Sequence, residues 1–249
     1  MREGYASLKL FIGGNIMKRI TILTGAGMSA ESGLSLFRGG NGLWNNYPVE
    51  QVATPEGFAA NPSLVLEFYN KRRTELLQVE PNEGHRLVAS LEEKYAVTVV
   101  TQNVDNLHER AGSTNVIHLH GELMKVCSSR NPNDPRCVRT LSSPDLEIKM
   151  GDLAADGSQL RPFIVWFGEA VPLMEDAIAA MQGIDAFVII GTSLNVYPAA
   201  GLLHYAPAGI PIYLIDPNDV NATLPSNAIH IRKGASEGMN ILINEYLDK

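Results

Sequence analysis

Short apolar runs recur along the chain, separated by helical patterns, and this alternation limits the folds open to it. The runs are Ile20–Thr24, Val97–Thr101, Val116–Leu119, Ala186–Ile190 and Ile212–Ile215. Strands buried on both faces are apolar throughout, and helices between them supply the crossovers of a parallel sheet. The pattern therefore predicts an α/β fold built on a parallel sheet.

Small or polar residues follow every one of these runs. They are Gly25-Ala26-Gly27, Gln102-Asn103-Val104-Asp105, His120-Gly121, Gly191-Thr192-Ser193 and Asp216-Pro217-Asn218. The carboxyl ends of parallel strands share one edge of the sheet, where ligands bind. Any one of these ends is compatible with an ordinary turn, but together they indicate a ligand-binding edge.

The first run leads into a glycine-rich motif. Gly25, Gly27 and Ala30 form G-x-G-x-x-A, which is typical of dinucleotide-binding loops. A standard dinucleotide unit continues with a helix, a second strand and an acidic residue for the ribose. Here Gly33, Phe37-Arg38-Gly39-Gly40, Pro48 and Pro55 follow instead. This departure argues against an NAD-dependent dehydrogenase.

Composition excludes several classes of protein. The 249 residues are 45% hydrophobic, which is enough for one large domain or a domain with an insert. Their formal net charge is −7. The charge is spread and forms no basic stripe, so we expect no nucleic-acid partner. The sequence has two cysteines and no apolar run of transmembrane length, which predicts a cytoplasmic protein without a membrane partner.

The domain organisation follows from composition along the chain. We interpret residues 1–16 as a dispensable N-terminal extension, because Met17 directly precedes the first strand, and residues 17–249 as the catalytic domain. Two inserts, about 32–81 and 122–162, are expected to form a smaller module beside the sheet. Helices are predicted over Pro172–Gln182 and over Ser236–Leu247, with Ser236 as the N-cap.

Motifs in series identify a family. The stretches GAGMSAESGLSLFRG, TQNVDNLHERAG, HLHGEL, VWFGE and GTSLNVYPAAGL resemble, in order and spacing, the sirtuins, which are NAD-dependent protein deacylases. The resemblance implies a Rossmann-type parallel sheet with helices on both faces, a smaller inserted module, and a cleft for NAD and an acylated protein lysine. NAD would be consumed, yielding nicotinamide, free lysine and O-acyl-ADP-ribose.

The resemblance also implies a set of NAD-binding residues. They are Gly25, Ala26, Gly27, Ser29, Ala30, Glu31, Phe37, Arg38, Trp44, Gln102, Asn103, Asp105, Gly191, Thr192, Ser193, Asp216, Asn218 and Ala235. The glycine-rich loop would bind the pyrophosphate through backbone N–H groups. Asn103 and Asp105 suit a carboxamide, which offers both a donor and an acceptor. Phe37 would shield the reactive face of NAD, although core packing is the alternative role for it. Family members often carry an Asn where Leu214 stands, so Asp216 or Asn218 would replace its ribose contact.

His120 is the catalytic candidate, as general base on a ribose hydroxyl. A lone histidine after a strand is more often structural, but the position of His120 directly before Gly121 matches the family motif. His118 lies two residues earlier and ranks below it. In the same resemblance, Val165–Gly168 pairs with the substrate backbone as an added strand, and Trp166 and Phe167 flank the acyl-lysine tunnel.

The segment NPSLVLEFYNKRRTELL bears on the acyl group. Asn61 and Pro62 predict a helix start, and Tyr69 and Arg72 then fall on one largely apolar face. Tyr-x-x-Arg resembles the signature of sirtuins that remove succinyl and malonyl groups. A guanidinium suits these groups because it can bind their terminal carboxylate through two hydrogen bonds. The alternatives are that Arg72 reaches water or pairs with an internal carboxylate. The neighbouring Lys71 and Arg73 are expected to be solvated.

Zinc is not expected. The family usually holds a structural zinc with four cysteines, whereas this sequence has only Cys127 and Cys137. Asp134 and Asp145 would complete only an improbable mixed site, and a disulfide is disfavoured in a reducing compartment. An ordinary deacetylase, a protein ADP-ribosyltransferase and a non-catalytic NAD sensor remain as alternative functions.

Overall fold

The computed structural model describes residues 11–12, 15–35, 47–220 and 222–247. The strands are β1 (Phe11–Ile12), β2 (Asn15–Ile16), β3 (Arg19–Thr24), β4 (Ala96–Thr101), β5 (Val116–His118), β6 (Gly121–Ser128), β7 (Arg139–Thr140), β8 (Leu160–Ile164), β9 (Ala186–Ile190), β10 (Ile212–Ile215) and β11 (Ala228–Ile231). The α-helices are α1 (Ala26–Ala30), α2 (Val49–Val52), α3 (Pro55–Ala60), α4 (Pro62–Leu77), α5 (Glu83–Ser90), α6 (Leu107–Ala111), α7 (Met174–Ala180) and α8 (Ala235–Leu242). No helix within these ranges is long and apolar enough to cross a membrane.

A six-stranded parallel sheet carries the fold, in the order β11-β10-β9-β3-β4-β5. The five predicted strands are confirmed and lie side by side, while β11 extends the sheet beyond them. Thr24 is in register with both Thr101 and Ile190, and Thr101 is in register with His118. The carboxyl ends therefore meet at one edge, as the sequence pattern predicts.

Helices cover both faces of this sheet. On one face, Val88 of α5 and Met239 and Leu242 of α8 pack with the sheet residues Ile22 and Val99. On the other face, α7 and the 3-10 helix Ala199–Tyr205 pack against the same strands. Each face thus has its own apolar core, which explains why the central strands are apolar at nearly every position.

The smaller module contains an antiparallel sheet, in the order β7-β6-β8, packed against α4. The insert 122–162 is therefore not only loop, since it contributes most of β6, all of β7 and the start of β8. Asn61 accepts a hydrogen bond from the Leu64 N–H at 3.1 Å and Pro62 opens α4, so the predicted helix start is correct. The domain boundaries themselves remain a prediction.

Arg73 corrects the expectation that it is solvated. Its side chain is 1% exposed and its Nε donates to the Leu146 carbonyl at 2.8 Å, its Nη1 to the Leu123 carbonyl at 3.2 Å, and its Nη2 to Asn70 Oδ1. Burial lowers the pKa of Arg73 to about 10. The guanidinium therefore joins α4 to the β6 strand and to the loop after β7. Arg73 is buried because α4 contributes residues to two apolar clusters, so more than one of its faces is covered.

The last two α-helices, α7 and α8, differ in their bounds from the helices predicted from the sequence. The predicted Pro172–Gln182 helix forms only over Met174–Ala180, and the last helix begins at Ala235 with Gly234 as its N-cap. The Ser236 side chain is therefore not the cap; its hydroxyl donates to the Glu31 carboxylate instead. The final turn, Ile243–Leu247, is a π-helix rather than a continuation of α8.

Replacing Arg73 should test this packing. Arg73→Met removes the donor that the Leu146 and Leu123 carbonyls share, while Asn70 Oδ1 keeps its hydrogen bond from the Ile148 N–H. The free energy of unfolding should fall by about 1–3 kcal/mol. Lys71→Met, which removes the same charge from an exposed position on the same helix, should change it by less than about 0.5 kcal/mol. Urea unfolding of both variants measures the difference, and equal effects would contradict the buried role.

Candidate active site

The glycine-rich turn packs tightly against the end of β9. A Cβ atom on Gly191, whose φ is +62°, would lie 2.4 Å from the Met28 nitrogen. The Gly25 N–H donates to the Ile190 carbonyl at 3.0 Å and the Gly27 N–H to the Gly191 carbonyl at 2.9 Å. These two N–H groups donate within the chain in this structure, and the binding of pyrophosphate by the glycine-rich loop stays a prediction.

A buried hydrogen-bond network lies behind this turn. Asn103 Nδ2 donates to the Gly25 carbonyl at 3.0 Å and to Ser29 Oγ at 3.1 Å, and Ser29 Oγ donates to Asp105 Oδ2 at 2.9 Å. The Leu107 N–H donates to Asp105 Oδ1 at 3.2 Å. Burial raises the pKa of Asp105. The structure thus brings together three predicted site residues, Ser29, Asn103 and Asp105.

Gln102 provides a test of whether the site suits NAD. Its Oε1 accepts a hydrogen bond from Thr192 Oγ1 at 3.0 Å, while its buried Nε2 has no partner among the described residues. A buried donor without a partner costs free energy that a hydroxyl-rich ligand such as a ribose would recover. Asn106 Oδ1 is also buried without a described partner, so Asn106 is a candidate that the sequence reasoning missed.

His120 is held by a single internal hydrogen bond. Its Nδ1 lies 3.0 Å from the Gln102 carbonyl oxygen, which can only accept, so Nδ1 carries the proton. No described group bonds to Nε2, which is therefore an available base when the ring is neutral. Burial lowers the pKa of His120, which favours that neutral ring.

The neighbouring His118 has both ring nitrogens occupied. Nδ1 lies 3.1 Å from the Asn103 carbonyl oxygen and Nε2 lies 2.7 Å from Glu109 Oε1. Burial opposes protonation, but the hydrogen bond and charge of Glu109 raise the pKa of His118 overall. Both partners are acceptors, and both ring nitrogens are occupied by them, which favours His120 over His118 as the general base.

The backbone conformation after His120 requires a glycine at position 121. Its φ is +83°, and a Cβ atom there would lie 2.1 Å from the Phe163 carbonyl oxygen. No other residue fits this turn without moving β8. The turn sends the chain from β5 into β6 and leaves His120 at the edge of the parallel sheet.

Tyr69 and Arg72 lie between this edge and the smaller module. Arg72 is 7% exposed, lines a small cavity with Ser29, Asn103 and Asp105, and its Nη1 lies 3.0 Å from Glu75 Oε2. The alternative that Arg72 pairs with an internal carboxylate is therefore realised in this structure. The Tyr69 hydroxyl accepts a hydrogen bond from Trp166 Nε1 at 3.1 Å, and burial raises the pKa of Tyr69.

A buried ion pair fixes the segment that follows β8. Arg161, 3% exposed, donates from Nη1 and Nη2 to the two Glu169 oxygens at 2.7 and 2.9 Å, and its guanidinium stacks 3.5 Å from the Trp166 ring centre. The Trp166 N–H also donates to Glu169 Oε2 at 2.8 Å. Arg161 and Glu169 were not among the predicted site residues, yet they position Trp166 and, through it, the Tyr69 hydroxyl.

The expected substrate edge is partly occupied by the chain itself. The Val165 N–H donates to the His120 carbonyl and the Phe167 N–H donates to the Ala53 carbonyl, both at 2.9 Å. These two N–H groups are bonded within the chain in this structure, and the pairing of Val165–Gly168 with a substrate backbone stays a prediction. Phe167 is 45% exposed, whereas Trp166 is 2% exposed and packs with Phe58.

The remaining predicted NAD residues spread along the other half of the edge. Asp216 Oδ1 accepts from the Asn218 N–H at 2.9 Å, so this pair forms its own turn. The Ser236 N–H and hydroxyl donate to the Glu31 carboxylate, which places Glu31 beside Ala235 at the start of α8. Ser193 is exposed and Ala30 is partly buried. Phe37, Arg38 and Trp44 lie outside the described residues.

The donors for a structural zinc are not assembled. Cys127 and Cys137 are both buried with no disulfide between them, and burial raises the pKa of Cys127 to about 12. The described part of the chain contains no group of three or more His, Cys, Asp or Glu side chains that would hold a metal. The residues present therefore do not fit the four-ligand zinc site of the family.

Comparisons with known proteins agree with this geometry. Residues 25–198 match the model of the Sir2 family. An NAD-dependent protein deacylase from Bacteroides thetaiotaomicron is 63% identical over 91% of this chain and 97% of its own length, and one from Helicobacter pylori is 48% identical over 93% and 99%. A crystal structure of a Sir2 homologue in complex with NAD superposes with a TM-score of 0.79 at 38% identity, covering 91% of this chain and 88% of that one. The chain belongs to the Sir2 family.

Proposed function

We propose that this chain is an NAD-dependent protein-lysine deacylase with a preference for acidic acyl groups. The observation that carries the proposal is His120, whose Nδ1 is fixed by the Gln102 carbonyl while Nε2 has no partner among the described residues. The relatives named NAD-dependent protein deacylase support the same activity.

The sheet edge supplies the groups that would hold NAD. The unpartnered Gln102 Nε2 suits a ribose hydroxyl, and the buried Asn103 and Asp105 suit the carboxamide. Bound NAD would supply the ribose carbon to which the acyl-lysine oxygen becomes attached as nicotinamide leaves. Glycines 25 and 27 would bring the backbone close to the cofactor and keep β3 against β9.

His120 would then accept a proton at Nε2 from a ribose hydroxyl. The Gln102 carbonyl stabilises the resulting imidazolium, because the Nδ1–H bond strengthens when the ring becomes charged. The lowered pKa keeps the ring neutral, and so ready to accept the proton, at neutral pH.

Replacing His120 tests the activity. His120→Ala should lower kcat for acyl-lysine peptides by roughly 10²- to 10⁴-fold while the Kd for NAD, measured by calorimetry, changes little. For the unchanged protein, kcat/KM should fall as the pH drops through the lowered pKa of His120, because protonation removes its lone pair. His204→Ala, at an exposed position, is the matched control. Retention of most activity by His120→Ala would disprove the assignment.

The acyl preference rests on Tyr69 and Arg72. The guanidinium of Arg72 is buried, and its planar donors match the carboxylate at the end of a succinyl or malonyl group. Trp166 donates to the Tyr69 oxygen, which directs the phenolic proton towards another acceptor. Arg72 shares its cavity with Asn103 and Asp105, so an acyl chain bound there would lie next to the NAD site.

Substitution of Arg72 separates the acyl groups. Arg72→Met should raise KM for a succinyl-lysine peptide by about 10- to 150-fold and change KM for an acetyl-lysine peptide much less, because only the succinyl group has a charge to lose. Lys71→Met removes a neighbouring exposed charge and should affect neither substrate. Equal weakening of both substrates by Arg72→Met would disprove the preference.

An ordinary deacetylase is the second candidate. The ion pair between Arg72 and Glu75 favours it, since Arg72 already has a carboxylate partner without substrate. In that case the unchanged protein would process acetyl-lysine with a higher kcat/KM than succinyl-lysine. The two candidates therefore differ in one measured ratio.

We also propose that the smaller module folds without zinc. Support comes from the polar network around Asp156, whose carboxylate accepts from Ser128 Oγ at 2.6 Å, Ser158 Oγ at 2.7 Å and the Ser158 N–H at 2.9 Å. These hydrogen bonds lower the pKa of Asp156 to about 2. They join the end of β6 to the turn before β8 without a metal ion.

Metal analysis tests this proposal. The purified protein should contain far less than one zinc per chain and keep its activity in the presence of a chelator. Cys127→Ser should likewise retain activity once folded. About one zinc per chain, lost together with activity in Cys127→Ser, would contradict the proposal.

A further inference from the structure

We propose that Glu75 sets the affinity of the enzyme for acidic acyl groups by occupying Arg72 until the substrate carboxylate replaces it. This inference rests on the proposed acyl preference and adds a specificity-determining residue to it. Glu75 would not contact the reacting atoms; it would act on the substrate through Arg72.

The ion pair is unequal in its exposure to solvent. Arg72 Nη1 and Glu75 Oε2 are 3.0 Å apart, with side-chain exposures of 8% for Arg72 and 36% for Glu75. The two residues are three positions apart on α4, so the contact needs no other element to form. Glu75 can therefore turn towards water, whereas Arg72 remains buried.

The charges around Arg72 make this exchange favourable. Besides Glu75, the buried carboxylate of Asp105 and the hydroxyl of Tyr69 interact with the guanidinium. A third carboxylate, brought by a succinyl group, would meet repulsion from Glu75 if Glu75 stayed in place. Departure of Glu75 removes that repulsion and leaves Arg72 paired with the substrate.

Glu75 would also allow the pocket to accept acyl groups without a charge. With a neutral acyl chain bound, the Glu75 carboxylate would continue to compensate the charge of the buried guanidinium. With Glu75 in place, Arg72 stays paired and the pocket accepts the neutral acyl chain. Glu75 would thus lower the affinity for acidic acyl groups and favour the binding of neutral ones.

A charge-removing substitution gives an effect of distinctive sign. Glu75→Gln should lower KM for a succinyl-lysine peptide by about 2- to 5-fold, the range expected for losing competition from a partly exposed ion pair. KM for an acetyl-lysine peptide should stay the same or rise, and kcat should not change for either substrate. A residue that merely held Arg72 in place would raise the succinyl KM instead.

Two controls complete the experiment. Glu67→Gln removes the same charge from an exposed position two turns earlier on α4 and should leave both KM values unchanged. In an Arg72→Met background, Glu75→Gln should have no effect on the succinyl KM, because the proposed coupling passes through Arg72.

Distinct outcomes separate the two proposals. If the unchanged protein prefers succinyl-lysine through Arg72 but Glu75→Gln leaves or raises the succinyl KM, the role of Glu75 is wrong and the acyl preference stands. If Arg72→Met weakens succinyl- and acetyl-lysine equally, the acyl preference is wrong and the role of Glu75 falls with it.

Discussion

The backbones of Gly27 and Gly191 lie against each other where α1 meets the end of β9, and much of the candidate site depends on that contact. A Cβ atom on Gly27 would lie 2.6 Å from the Gly191 Cα atom, and one on Gly25 would lie 2.7 Å from Thr192 Cβ. The approach brings Thr192 within 3.0 Å of Gln102 Oε1. The backbone carbonyl of the same residue, Gln102, bonds to His120 Nδ1. The packed turns and the catalytic candidate therefore meet at one residue, which contacts the first through its side chain and the second through its backbone.

Three buried arginines show how differently one charge is accommodated. Arg73 donates to backbone carbonyls and an amide oxygen, Arg161 forms a two-bond pair with Glu169, and Arg72 pairs with the partly exposed Glu75. Two partners of Arg73 are backbone carbonyls, and Glu169, the partner of Arg161, is also held by the Trp166 N–H. Of the three, Arg72 has the partner that is easiest to exchange, and it is the one that lines the cavity beside Asn103.

Sequence alone predicted the parts of the fold that depend on local pattern. The strand ends, the start of α4 and the position of His120 follow from apolar runs, caps and motif order. β11 was missed because Ala228–Ile231 is only partly buried and includes His230, so it lacks a continuous apolar run. β6 was missed because Glu122 and Lys125 interrupt its apolar residues.

The errors in side-chain roles have a common cause. Arg73 and Ser236 have partners distant in sequence, at Leu146 and at Glu31, which no local pattern contains. Arg161 has partners only five and eight residues away, but its role depends on the distant contact between Trp166 and Tyr69. Long-range polar contacts therefore limit what a single sequence predicts, even where strand positions are correct.

The site divides between two parts of the fold. The groups proposed to bind NAD follow β3, β4 and β9 of the parallel sheet, whereas Tyr69, Arg72 and Glu75 all lie on α4, which packs against the antiparallel sheet. Trp166 joins the two parts, because the Val165 N–H beside it donates to the His120 carbonyl while its indole donates to Tyr69. A change on α4 can thus alter which acyl group is held while the carbonyl that orients His120 stays in place. We infer that the choice of acyl group and the chemistry at His120 are separable in this fold, because they depend on residues of different elements.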